Sequence, residues 1–196
     1  MYCTCSNNGA SNYSVVGLCD VSKSKFKTIA ENNAWTEISV PEALILPDCK
    51  PNIEKIDKVY INAEITSTKV INTPVVPTDN TTRQLKPNSE GQILTGKKLL
   101  VDGFLCQTIV YTAAIPEQAV YTVKFNVPFC TFIVLNGNTN VDIDKFCVTP
   151  CIEDVFISLI NCRTIFKNVT LFLYSEKVEM NCPGGRRPVT TADCRI

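Results

Sequence analysis

Histidine is absent from the 196 residues. Without it the chain lacks the commonest general base, the commonest metal ligand and the side chain that changes charge near neutral pH. A serine or cysteine nucleophile has no imidazole to activate it, and no motif supports a lysine-based substitute, so a protein that is not an enzyme is expected. Net charge is lacking as well. The 19 Lys and Arg balance 19 Asp and Glu, which leaves no global field to attract nucleic acid or an anionic membrane. No apolar run reaches the roughly 18 residues of a membrane-spanning helix, so no membrane insertion is expected. The opening stretch MYCTCSNNGASNYS has neither a basic nor an apolar region of the secretory kind, so no signal peptide is expected.

What the chain does hold is hydrophobic material and thiols. Apolar residues make up 45% of it, enough to bury a core in one domain. Eleven cysteines stand at positions 3, 5, 19, 49, 106, 130, 147, 151, 162, 182 and 194. So many thiols argue for an oxidising destination, and an odd number cannot all pair within one copy.

The strongest pattern is Gln118–Leu135. Tyr121, Val123, Phe125, Val127 and Phe129 alternate with Thr122, Lys124, Asn126 and Pro128, which places five apolar side chains on one face of a core strand. Pro128 cannot donate to a central ladder, so a bulge, bend or edge is expected there, with a second short strand over Thr131–Leu135. Upstream, WTEISV (Trp35–Val40) reads as a first strand anchored to the core by the lone tryptophan. Pro41–Pro51 reads as a connection that plugs one end of the core. Val59, Ile61, Ala63 and Ile65 alternate in another strand, and Asn72–Glu90, with three prolines, reads as a long surface loop. Gly103 marks a bulge or bend between two strands within Gln92–Thr112. After the turn-rich Asn136–Lys145, Phe146–Ile160 and Arg163–Ser175 form a pair turning at Asn161-Cys162, with Val169, Leu171 and Leu173 on one face. Some eight strands and no long helix predict an all-β fold, an antiparallel β-sandwich or jelly roll. Residues 1–34 and 177–196 read as flexible cysteine-bearing tails flanking a domain at 35–176.

Several stretches are familiar. GKKLLVDGFLCQTIVYTA (Gly96–Ala113), VKFNVPFCTFIVL (Val123–Leu135), CIEDVFISLI (Cys151–Ile160) and IFKNVTLFLYSE (Ile165–Glu176) resemble the SPOCS domain of clostridial spore-coat morphogenesis proteins. WTEISVPEALILPDCKPNIEKI (Trp35–Ile56) is similar to that family's opening segment. The resemblance implies an all-β domain that works by protein–protein assembly on a developing endospore, without known catalysis. It also implies a location: synthesis in the mother cell without a signal peptide, then exposure on the endospore surface when that cell lyses. The plan of a cysteine-bearing tail beside a sandwich is similar to that of disulfide-linked spore appendage subunits.

The expected function is therefore structural: a homo-oligomer in a helical filament or lattice, locked by disulfides between copies. The intermolecular candidates are Cys3, Cys5, Cys19, Cys182 and Cys194, all in segments that read as tails. A local Cys147–Cys151 disulfide is a further candidate. Cys106 and Cys130, embedded in strands, read as buried small hydrophobes. Zinc would need four thiolates, and the knuckle spacing is missing, so no metal and no cofactor is expected. The acidic pairs Glu153-Asp154 and Asp142/Asp144 read as solvated loop charge, and Pro183–Arg187 as polar tail. The alternative is a monomeric module that presents Asn72–Glu90 or a sandwich face to another spore-coat protein.

Overall fold

The computed structural model describes residues 13–20, 27–29, 31, 33–75, 78–79, 81–82, 84 and 93–178. Seven strands make up nearly all of it: β1 (Ser14–Val16), β2 (Ala34–Ile45), β3 (Ile53–Val75), β4 (Thr95–Ala113), β5 (Val120–Val134), β6 (Lys145–Asn161) and β7 (Thr164–Val178). They form two sheets, of order β1-β3-β4-β5 and β2-β7-β6. Every pairing is antiparallel except the short parallel one between β1 and β3. The all-β sandwich expected from the sequence is the observed fold.

Alternation puts one face of each sheet inside. Val59 and Ile61 on β3, Leu105, Ile109 and Tyr111 on β4, and Val123, Phe129 and Ile133 on β5 meet Ile152 and Ile157 on β6 and Ile165, Val169, Leu171 and Leu173 on β7. The sheets approach each other where β3 meets β6 along one side and where β2 meets β5 along the other. That leaves β4 and β7 as the central strands. Of the five residues expected in the core on β5, Val123 and Phe129 are buried, while Tyr121, Phe125 and Val127 pack against the core half-buried. The reason is position: β5 ends its sheet, so its inner face is covered from one flank only.

Four local expectations change. Of the bulge, bend or edge expected at Pro128, the fold shows the edge: β5 ends its sheet and pairs with β4 without a register shift, so Thr131–Leu135 continues the same strand up to Val134. An edge strand leaves alternate amides unpaired, and Pro128 occupies an outward position where no donor is needed. Pro41 behaves the same way inside β2, the edge of the other sheet, so the expected plug begins as strand. Its Leu44 and Leu46 are nonetheless buried. The irregularity expected at Gly103 falls on the opposite strand, between Ile65 and Ser67 of β3. Trp35, expected to anchor its strand to the core, is 46% exposed and packs at a tilt against Phe172, with ring centroids 5.6 Å apart, outside the sandwich.

Part of the segment read as an N-terminal tail is built into the fold. β1 pairs with β3 through Ser14, Val15 and Val16. Gly17 then adopts φ +116°, where a Cβ would sit 1.9 Å from the Ile61 carbonyl oxygen. Only glycine lets the chain turn that close to β3. The Tyr13 hydroxyl donates to Val155 O and accepts from Ile157 N, and the Cys19 amide donates to Ile152 O at 2.8 Å. Residues 13–19 thus run along the seam between β3 and β6. The link from β2 to β3 is held by Arg163, whose guanidinium donates to the carbonyls of Leu46, Pro47 and Lys50 and to Asn52 Oδ1.

Candidate functional site

Strand order decides which backbone is available to a partner. On the β3/β6 side β1 pairs with Lys58–Tyr60 of β3, and Tyr13 and Cys19 hydrogen-bond to the backbone of β6 at Ile152, Val155 and Ile157. On the opposite side β5 has β4 as its neighbour and β2 has β7; among the described residues neither has a second one. The outward face of β5 near this edge carries Phe132 and Val134, both exposed, with Lys98 Nζ 3.8 Å from the Phe132 ring centroid. Exposed apolar side chains beside an unpaired strand edge are the features of a surface that can accept another strand.

The cysteines separate into bonded and free. Cys19 is bonded to Cys151, with Cα atoms 5.4 Å apart, across 132 residues of sequence. This corrects two expectations. Cys19 is engaged within its own chain, and Cys151 is bonded to it in place of Cys147. The physical reason is the face each residue occupies: Cys151 points outward from β6 beside Phe172, where residues 19 and 29 cover the sheet. Cys106, Cys147 and Cys162 are also disulfide-bonded. Cys3, Cys5, Cys182 and Cys194 lie outside the described residues, as does the 183–187 segment.

The free cysteines among the described residues are Cys49, in the β2–β3 link, and Cys130, and both are exposed. Cys130 is therefore not the buried hydrophobe expected. Because Phe129 points inward, the period of two puts Cys130 outward, and that signal was legible in the sequence. Cys106 is buried as expected, but it is disulfide-bonded rather than a small hydrophobe with a free thiol. The Cys130 thiol hydrogen-bonds Asp102, its ladder partner, and this bond raises the thiol pKa while lowering that of Asp102. Ser67 Oγ donates to the same carboxylate at 2.7 Å. Cys130 is thus held as a thiol, the less nucleophilic form.

The acidic pairs stay apart from any common centre. Asp144 pairs with Lys177 at 2.7 Å and accepts from the Asn140 amide, which lowers its pKa and closes the β5–β6 loop. Glu153 and Asp154 are exposed where β6 slips register against β7. Among the described residues no three His, Cys, Asp or Glu gather in a way that could hold a metal ion. No described helix is long and apolar enough to cross a membrane.

The family model described as SipL, SPOCS domain, matches residues 52–160, more than half of the chain. The chain belongs to the SPOCS-domain family. Membership gives it a spore-related role. No curated protein and no solved structure matches it. The matched stretch runs from the start of β3 to the end of β6, and β2 and β7, which lie outside it, complete the second sheet.

Proposed function

We propose that this SPOCS domain is a structural, self-assembling component of the endospore surface, built into a fibre or lattice by strand docking and locked by disulfides between copies. The observation that carries the reading is the β5 edge, which among the described residues has a strand neighbour on one side only and exposed apolar side chains beside it. A contact between unlike surfaces need not close into a ring and so can propagate. With eleven cysteines, at least one thiol per copy stays outside intramolecular pairs. Among the described residues, Cys49 and Cys130 are the free thiols. A near-neutral chain adds little repulsion between copies. A non-enzymatic role fits a chain without histidine.

The test is electron microscopy of the purified full chain with and without reductant, beside two variants. Lys124→Pro removes an amide with the same outward orientation as that of Pro128, so the β4–β5 ladder survives while the docking edge is interrupted. Fibres or sheets in the parent, shortened or lost in Lys124→Pro and dissociated more readily in Cys49→Ser, would agree with the proposal. A monomer under all conditions, on non-reducing gels and by microscopy, would overturn it in favour of the recruiting module.

A further inference from the structure

Lys167 occupies a position that a sandwich core normally gives to an aliphatic residue. It lies on the inner face of β7 between Ile165 and Val169, with its side chain 0% exposed. Glu42, its partner in the β2–β7 ladder, has a side chain 8% exposed and places Oε2 2.9 Å from Lys167 Nζ. The same Oε2 accepts from Gln107 Nε2 at 3.3 Å. Gln107 comes from β4, the central strand of the facing sheet, and is 1% exposed. One carboxylate oxygen therefore touches both an amine and a carboxamide nitrogen, and the three residues join the two sheets at their middle.

As separate side chains these groups are poorly matched. Lys167 Nζ, Glu42 Oε1 and Gln107 Oε1 are buried without a well-directed hydrogen bond. An ammonium has three donors to satisfy, and a buried polar atom left unmatched is costly. Burial also lowers the Lys167 pKa against the opposing pull of Glu42, which favours the neutral, nucleophilic amine.

We propose that Lys167 and Gln107 become joined in the folded domain by an isopeptide bond from Nζ to Cδ, with Glu42 carrying the protons. Lys167 first gives one proton to Glu42, leaving a neutral amine and a neutral acid. The amine lone pair forms the Nζ–Cδ bond, and the carbonyl electrons move onto Oε1. Glu42 then protonates Nε2 and takes a second proton from Nζ. The carbonyl re-forms, and the Cδ–Nε2 bond breaks as ammonia leaves with its electron pair. Glu42 ends protonated, charge is conserved, and no oxidant or reductant takes part. Amide exchange of this kind is slow between free molecules in water. Glu42 Oε2 lies 2.9 Å from Lys167 Nζ and 3.3 Å from Gln107 Nε2 in a dry core, so it can relay protons between the two nitrogens and hold the amine near the carboxamide. The product ties β7 to β4 covalently and replaces an ammonium by an amide N–H that needs one acceptor.

The experiment is the intact mass of the fully reduced, full-length chain, which is independent of whether copies assemble. The expected mass is lower than that of the sequence by one ammonia, and a tryptic digest should contain a branched peptide linking Lys167 to Gln107. Gln107→Leu keeps the Lys167–Glu42 ion pair and the core volume but cannot form the bond. It should show its full sequence mass and a lower thermal midpoint than the parent. A parent at full mass overturns the proposal. So does loss of one water with Lys167 bonded to Glu42. Loss of ammonia that persists in Gln107→Leu would also overturn it, by assigning the loss elsewhere, such as to ring closure at Asn136-Gly137.

Discussion

Phe129 lays its ring on the backbone of Gly103. The two are partners in the β4–β5 ladder, and a Cβ on Gly103 would stand 2.5 Å from the ring Cζ and 2.5 Å from the Glu64 carbonyl oxygen. One of these neighbours is backbone held in the β3–β4 ladder, so it cannot move aside cheaply. Gly103→Ala is expected to cost about 1–3 kcal/mol, as overpacking of a filled core does. Phe129→Ala should cost about 3–5 kcal/mol, and the half-buried Phe125→Ala less. Equilibrium urea unfolding measures all three, and equal losses for the two phenylalanines would contradict the burial described above.

Cys19→Ser opens the bond to Cys151. Closing a loop of 132 residues restricts the unfolded chain, and its loss is expected to lower stability by about 2–5 kcal/mol. Because the bond is internal, the number of chains per particle on a non-reducing gel should not change. A shift towards monomer in Cys19→Ser would return Cys19 to a role between copies.

Arg163 spans acceptors that a lysine cannot reach together. Its two terminal nitrogens donate to three carbonyls and to Asn52 Oδ1, tying the β6–β7 turn to the link between sheets. Arg163→Lys keeps the charge but loses the planar fork, at an expected cost of about 2 kcal/mol. Thermal or urea unfolding tests this, and no measurable loss would show that water replaces the fork.

The Asp102–Cys130 contact predicts a pH and a reactivity signature. Hydrogen bonds from Cys130 and then Ser67 lower the Asp102 pKa from its ordinary 3.8, so the folded state favours the carboxylate. Its stabilising contribution is present above that ordinary value and is lost as pH falls through the lower folded one. Asp144, held by Lys177, has the same sign. Asp102→Asn should flatten the acid limb of the stability curve. Cys130 moves the opposite way, since its bond to Asp102 raises the thiol pKa. Alkylation of Cys130 by iodoacetamide at mildly alkaline pH should therefore be slower than for an ordinary exposed thiol and should speed up in Asp102→Asn. Unchanged rates would mean that the hydrogen bond does not control the thiol.

Periodicity alone located most strands, because an inward face every second residue is written locally. Val59, Ile61, Val123, Phe129, Val169, Leu171 and Leu173 all fall where alternation puts them. The same rule, carried one residue past Phe129, assigns Cys130 to the outside. The familiar stretches identified the SPOCS family from the sequence, and with it the spore-related role.

Tertiary structure decided what depends on which strand lies beside which. Pro128 left an edge as one of three alternatives, and only the strand order shows that β5 and β2 are edges, where Pro128 and Pro41 sit inside strands without bending or ending them. The pairing of Cys19 with Cys151 needed residues 13–19 to be laid along the β3/β6 seam, a placement set by Tyr13 and β1 rather than by cysteine spacing. The meeting of Glu42, Gln107 and Lys167 was likewise hidden in the sequence, where each looks like an ordinary polar residue. Gln107 and Lys167 fall within stretches that read as strands, whereas Glu42 falls within one that reads as a connection. Their convergence exists only because two sheets, ordered by contacts far apart in the chain, close over one another and exclude the water that would otherwise keep the three groups independent.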